Sequence, residues 1–413
     1  MDFEYNAKTK DLLAKVTDFM ERHVYPAEPV AEEQVRASGD KHHHPAILEE
    51  LKAKAKAAGL WNLFLPDAKY GAGLGNLEYA PLSEAMGRSL IGSEVFNCSA
   101  PDTGNMEILA EFGTAEQKKR WLEPLLEGKI RSCFSMTEPE TAGSDPTLLK
   151  TRAVRDGDHY VINGHKWFTS NASHPLCKIA IAMVVTDPDA EPYRRASQIL
   201  VPLDTPGMKI VRPVPVVNDD GGHGHCEVRY ENCRVPASNL LGREGDGFMI
   251  SQARLGPGRI HHCMRAIGGA ERALDLMCRR AQSRFTHGSL LSEKGLIQNW
   301  IAEARMEIDQ ARLLVLHAAW KMDRYGKKEA RQEISMVKTV AANMFQRVCD
   351  RAMQVHGAMG VTNDTPLMRL WAYARILRIA DGPDEVHNMV VARRELKRVS
   401  QIKTAAVPLP PAR

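Results

Sequence analysis

The sequence predicts an α+β chain in three packed units: an N-terminal helical domain over 1–130, a central β-sandwich or barrel-like domain over 131–243, and a C-terminal four-helix bundle over 244–402. Three observations lead there. Apolar residues recur at helical spacing in the first and last thirds. The middle third is rich in β-branched residues and turn formers. A chain of 413 residues is also too long for one simple core. The Pro-rich end, 403–413, reads as a disordered tail.

Residues 8–25 and 45–59 are helical in pattern, with Pro26 and Gly59 as stops. A Gly-rich turn at Gly71–Gly75 precedes a helix near 77–90, and 103–128 form two short helices split near Gly113. GAGLGN (71–76) is a near miss for a dinucleotide-binding loop. Asn76 stands in place of the last Gly and no strand precedes it, so it is an ordinary turn.

From about 130 to 240 the pattern is β. DHYVINGHKWFTS places Asn163-Gly164 between two strand-like runs, the strongest short signal for a hairpin turn. KIAIAMVV and SQILVPL read as buried strands, and Pro206-Gly207, Gly221-Gly222 and Pro236 punctuate the rest. Long helices are then expected over about 247–283, 293–325, 331–356 and 384–402. Ile297, Trp300, Ile301, Ala304, Ile308, Ala311 and Val315 draw one apolar stripe on the second of them.

Composition narrows the function class. Hydrophobic residues make up 44% and charged residues 26%, as in ordinary globular proteins. Lys+Arg is 55 against Asp+Glu 51, too small an excess to draw the chain to nucleic acid or membrane. No apolar run approaches the roughly 18 residues that a spanning helix needs. The start, MDFEYNAKTKDLLAK, has neither a signal-peptide core nor a transit pattern, so the expected location is cytoplasmic, and mitochondrial or peroxisomal only after removal of a leader. The eight cysteines are scattered and read as reduced, buried thiols. His223 and His225 flank Gly224 near Cys226 and Cys233, but no four-ligand spacing emerges, so no metal is expected. His42, His43 and His44 precede Pro45 in what reads as a solvated loop.

Four motifs carry chemistry. They are MTEPETAGSD (136–145), INGHKWFTSNA (162–172), QVHGAMG (354–360) and RIADGPDEVHNMVVAR (378–393). In this order they resemble the signatures of the FAD-dependent acyl-CoA dehydrogenases, and the resemblance spans nearly the whole chain. It implies that family's fold, FAD as cofactor, and an acyl-CoA thioester as substrate. Met136, Thr137 and Gly143 would lie at the flavin, and Ser144 there and at the CoA part. The first motif carries one extra residue, Glu140 or Thr141, relative to the common pattern. In the second, alignment on Lys166 and Asn171 puts Phe168 against the flavin and Ser170 in bonding reach, because strand neighbours face opposite sides. Thr169, one step away, is kept as a third contact. Arg284 opens RFTHGSLL, similar to the family's R-x-x-F-G with His287 in place of Phe. A guanidinium suits a pyrophosphate because its planar fork matches the oxygens. In the family this Arg, with the residues matching Gln354 and Gly357, reaches FAD held by a neighbouring subunit. A homodimer or homotetramer is therefore implied.

The implied reaction removes a proton from the α-carbon and a hydride from the β-carbon. It needs a desolvated carboxylate opposite the flavin and donors at the thioester oxygen. The family's base is Glu; here the slot reads Asp381-Gly382-Pro383, so Asp381 is the expected base and Gly382 lies at the substrate. The family's second base position falls on Gly258, which offers no carboxylate. Arg259 beside it would hold the acyl-CoA or tune Asp381. Local sequence alone also allows Asp381 to be a helix N-cap. His261 and His262 follow, one of them a candidate for the substrate cavity.

Electrons would pass to an electron-transferring flavoprotein. Two other readings stand. Asp in the base position resembles a divergent subgroup linked to 4-hydroxyacyl-CoA breakdown, in which dehydrogenation is coupled to loss of a 4-phosphate. The other is a DNA-binding relative with little activity, which the modest net charge disfavours.

Overall fold

The computed structural model describes residues 4–217 and 224–401. The expected tail, Gly221-Gly222 and His223 lie outside the described residues.

Helices fill the first third: α1 (Ala7–Phe19), α2 (Tyr25–Ser38), α3 (Ala46–Ala57), α4 (Asn76–Gly87), α5 (Gly92–Val95), α6 (Asp102–Phe112), α7 (Ala115–Gln117) and α8 (Glu123–Leu126). Asn6 starts α1 by accepting from Thr9 N at 2.8 Å. Pro26 does not stop this helix. A π-turn over Met20–Val24, closed by Tyr25 N–H onto the Met20 carbonyl, joins α1 to α2, and the helix runs on to Ser38. A prolyl ring collides with the preceding turn of a regular helix, and the wider π-turn relieves that. The same device recurs two residues before Pro124, where a π-turn over Lys118–Leu122 leads into α8. The 71–76 turn serves α4: Asp323 accepts from Asn76 N at 2.9 Å and Leu77 N at 2.8 Å, tying that helix start to the C-terminal bundle.

The middle third is one twisted sheet with β1 (Arg131–Ser135), β2 (Arg152–Asp156), β3 (His159–Ser170), β4 (Cys177–Val185), β5 (Ala196–Pro202), β6 (Met208–Val214), β7 (His225–Pro236) and β8 (Leu240–Leu241). The strand order is β6-β7-β3-β2-β4-β5-β8, and β1 pairs parallel to β4. The expected Asn163-Gly164 hairpin is overturned. The β2–β3 turn lies at Gly157-Asp158, with Asp156 opposite His159, and β3 runs through 163–164 with only a register shift against β7. Gly164 is there for close packing: a Cβ on it would lie 2.4 Å from Thr151 Oγ1. Asn163 Oδ1 accepts from Asn232 N at 2.8 Å.

The last third holds α9 (Gly247–Ser283), a small hairpin of β9 (Phe285–Thr286) and β10 (Ser289–Leu290), then α10 (Gly295–Glu329), α11 (Arg331–His356), α12 (Leu367–Leu377) and α13 (Asp384–Ser400). The four long helices form the bundle, and α12, which the sequence reading did not foresee, packs beside α11. Five members of the predicted stripe on α10 are buried, and Trp300 and Ile301 pack partly buried against the same core. Gln198 Nε2 donates to Ser251 Oγ at 2.9 Å, seating the start of α9 on β5. Arg131 locks sheet to helices: it is buried and donates to Asp102 at 2.5 Å and Glu94 at 2.7 Å. Asn171 Nδ2 joins through the Ser132 carbonyl at 3.0 Å. Among the described residues, no helix is long and apolar enough to cross a membrane.

Candidate active site

Asp381 sits between α12 and α13 with φ of 56°, and Gly382 follows at 102°. Asp tolerates this left-handed region better than most residues, and such strain concentrates at functional sites. A Cβ on Gly382 would lie 2.9 Å from His387 Nε2, so only Gly fits. Asp381 is not the cap of α13. Pro383 holds that position, and it is Asp384 that binds Arg378 Nε at 2.8 Å.

The surroundings of Asp381 are strongly basic. His262 Nε2 lies 3.3 Å from its Oδ2, and Arg259 Nε donates to its backbone carbonyl at 2.8 Å. Burial would raise the carboxyl's pKa. Hydrogen bonding to His262, with the charges of Arg254 and Arg259, outweighs it and holds the group well below the usual carboxylate range. A quarter of the side-chain surface still reaches solvent, so Asp381 is half-buried. No hydrogen bond among the described residues takes up its N–H. The expected role of Arg259 shifts in part, since its Nε is committed to the Asp381 carbonyl. Arg254 is buried over the Phe134 ring at 4.1 Å, with Asn105 Oδ1 at 2.9 Å and no carboxylate bond. His261 turns away into the N-terminal helices: it packs edge-on to Tyr79 at 4.9 Å, and burial drops its pKa to about 3. At Gly258 a Cβ would meet open space.

On the sheet, β3 slips register between Lys166 and Thr169, and Phe168 takes φ of 49°. Phe168 is 41% exposed beside the Trp167 ring, with centroids 4.7 Å apart. Thr169, expected as a cofactor contact, is fully buried with Oγ1 3.4 Å from Ser135 Oγ, so its side chain serves the sheet core. Ser170 Oγ lies 2.7 Å from His225 Nδ1. Trp167 Nε1 is buried without a hydrogen-bond partner among the described residues. An exposed aromatic ring next to an orphaned N–H fits a planar, heteroatom-rich group such as a flavin.

The 136–145 loop is pinned to this strand. Lys166 Nζ donates to the Met136 carbonyl at 2.8 Å, and Trp167 N to the Thr137 carbonyl at 3.0 Å. Gly143 passes so close to Thr137 that a Cβ would lie 2.9 Å from Cγ2. The loop is anchored further along too: Glu140 reaches His165 at 2.8 Å, and the other nitrogen of His165 reaches Glu227 at 2.9 Å. Ser144 is exposed. Beyond it, Thr147, Leu149, Lys150, Arg152, Val185, Pro188 and Arg195 line a cavity of about 250 Å³ that holds three cationic side chains and no acid. The sequence reading missed this cavity, because its cations come from separate segments.

Arg284, His287, Gln354 and Gly357 are exposed, and among the described residues no hydrogen bond joins them to Asp381 or the 136–145 loop. The His42–44 loop is less solvated than expected. His44 packs 4.5 Å from the His174 ring, and their nitrogens cluster with Glu94, which Lys52 and Arg131 already hold.

Comparison with known proteins adds three family matches: the acyl-CoA dehydrogenase N-terminal domain over residues 6–129, the middle domain over 133–233 and the C-terminal domain over 245–396. The Mycobacterium tuberculosis "Probable acyl-CoA dehydrogenase FadE2" is 56% identical over 409 residues, covering 98% of this chain and 100% of the relative. The mouse "Acyl-CoA dehydrogenase family member 10" is 52% identical over 405 residues; the match covers 97% of this chain but only 38% of that larger protein. A solved structure from Mycobacterium abscessus superposes with a TM-score of 0.93 at 50% identity, covering 96% of this chain and 100% of that one. A structure of PigA with FAD and proline matches at a TM-score of 0.83 and 25% identity over 96% and 100% of the two chains.

Proposed function

The chain belongs to the acyl-CoA dehydrogenase family, FAD-dependent oxidoreductases, and from that premise we propose that Asp381 is the base that removes the α-proton of its acyl-CoA substrate. The observation that carries this reading is Asp381 itself: a half-buried carboxylate in a strained left-handed turn, with its N–H unclaimed. The acyl thioester would lie between Asp381 and the bound flavin, on the side of the flavin away from the sheet. There the Asp381 N–H can donate to the thioester oxygen as enolate charge develops. Bound FAD supplies the acceptor for the hydride from the β-carbon. Phe168, Thr137 and Ser170 would hold the flavin, and Ser144 would meet the CoA part. The three cations beyond Ser144 suit CoA phosphates. Gly382 keeps the backbone beside Asp381 free of a side chain.

Electrons would leave to an electron-transferring flavoprotein. A second copy of the chain would bring Arg284, His287, Gln354 and Gly357 to the cofactor. Phe285, Met359 and Val361, large apolar side chains left exposed beside them, support such an interface.

A second reading keeps the fold and the base and changes the substrate to a 4-phosphoacyl-CoA, with phosphate lost after dehydrogenation. Arg254 and Arg259 favour it: Arg254 is buried and Arg259 half-buried near Asp381, and among the described residues neither is bonded to a carboxylate side chain. Anaerobic bleaching of the yellow protein by acyl-CoAs of graded length, with 4-hydroxy and 4-phospho analogues alongside, tests both readings. Bleaching by plain acyl-CoA supports the first, and bleaching only by the 4-phospho analogue supports the second. Salt-sensitive retention on DNA without bleaching by any thioester would overturn both. Asp381→Asn should keep FAD and lose bleaching by about 10²–10⁴-fold in rate; full activity would remove Asp381 from the role.

A further inference from the structure

We propose that His262 is a positioning residue that donates a hydrogen bond to Asp381, with its own tautomer fixed by Arg265 and Tyr373. The inference rests on Asp381 being the base.

Three distances define the arrangement. On one side of the imidazole, Nδ1 lies 3.0 Å from Arg265 Nη2 and 3.1 Å from Tyr373 Oη. On the other, Nε2 lies 3.3 Å from Asp381 Oδ2. A guanidinium has only donors, so Nδ1 must offer its lone pair. A neutral imidazole with that lone pair carries its proton on Nε2, facing the carboxylate. The ring is kept neutral by its setting: burial lowers its pKa, and the nearby charge of Arg265 lowers it further. His262 and Arg265 stand three residues apart on one face of α9, so the helix presents both toward Asp381. Tyr373 comes from α12.

The other groups near this pair are Arg254, Arg259 and Cys263 on α9, Lys338 on α11, and Asp384 and His387 on α13. The two arginines supply long-range charge without bonding to the carboxylate oxygens. Among the described residues, His262 is the side chain whose ring nitrogen comes within 4 Å of an oxygen of the base, at 3.3 Å from Oδ2. Asp lacks one methylene of the family's Glu, and its carboxylate stands nearer its own backbone. A donor from α9 gives that short arm a fixed direction and keeps it ionised until substrate arrives.

The test compares His262→Leu, which removes the donor, with His262→Gln, which keeps an N–H. Flavin reduction is followed anaerobically at saturating acyl-CoA across pH. In the Leu variant the acid limb should move up by about one to two pH units, lowering the rate about tenfold or more within that window, with little change in KM. The Gln variant should recover most of the loss. A readout independent of turnover is thermal unfolding of the FAD-loaded protein below pH 5. The low pKa of Asp381 gives stability that is present above its unfolded value and lost as pH falls through the folded one. In the Leu variant the folded value rises toward the unfolded one, so that loss should be smaller and be complete at higher pH. Tyr373→Phe, which leaves the ring packing in place, should shift the limb the same way by less. It decides the matter if the Leu variant does not load FAD. An unmoved acid limb, or Gln as impaired as Leu, overturns the proposal. Asp381→Asn run in parallel separates the two failures. If it stays active, the base assignment falls; if it is inactive while the His262 variants titrate like the native protein, only this inference falls.

Discussion

The buried ammonium of Lys166 donates to Glu138 Oε1 at 2.9 Å and to the Met136 carbonyl at 2.8 Å, so one side chain of β3 holds the start of the 136–145 loop. Glu138 also accepts from Lys150 N at 2.7 Å and Thr151 N at 2.8 Å. Lys166→Met would leave that carboxylate buried without its cation. The expected cost is about 3–5 kcal/mol in urea unfolding, with reduced FAD content. Glu138→Gln should cost less and retain more FAD.

Asp381→Glu restores the family's longer arm, but on a backbone with φ of 56° and toward a donor set placed for Asp. A misplacement of about 1 Å can cost about 10²-fold. The flavin reduction rate should therefore fall by roughly that factor while FAD and acyl-CoA still bind. An unchanged or faster rate would mean that the turn adapts freely.

Glu107 on α6 offers a pH signature. Burial raises its pKa to about 8, against the partial relief of Lys327 and Arg254, and its Oε2 is buried without a partner. A raised carboxyl contributes stability that is complete below its unfolded pKa and is lost as pH rises through the folded value. Between about pH 4.5 and 8 the native protein should thus lose stability relative to Glu107→Gln. Melting temperatures across that window check it: the gap should widen in favour of Gln as pH rises, and a constant gap would contradict the assignment.

The cavity lined by Lys150, Arg152 and Arg195 should act on binding rather than on chemistry. Arg152→Ala with Arg195→Ala is expected to raise KM for acyl-CoA with kcat nearly unchanged, the pattern of uniform binding. The effect should shrink when the substrate lacks the 3′-phosphate and when salt is high. Equal loss for both thioesters would place the phosphates elsewhere.

The order of helix, sheet and helix was legible because periodicity survives averaging over many residues, as on α10. Turns and single contacts were less so. Asn163-Gly164 has the right composition for a hairpin, yet tight packing against Thr151 used the glycine, and Gly157-Asp158 took the turn. Pro26 is a sound stop signal for a regular helix, and the π-turn before it cannot be seen in local propensity. The motifs around Phe168 and Asp381 could be found as strings. Phe168 is exposed and Thr169 fully buried, although β3 slips register between Lys166 and Thr169. His262 was visible merely as a candidate, since its approach to Asp381 joins segments far apart in the chain.

The slot proposed for the substrate draws on two layers, a carboxylate from the helices on one side and, on the other, the cofactor that the sheet would hold. Arg131, Asp102 and Asn171 act as the rivets between those layers. A shift in that joint would alter the spacing between sheet and helices without changing a residue on either side of the slot.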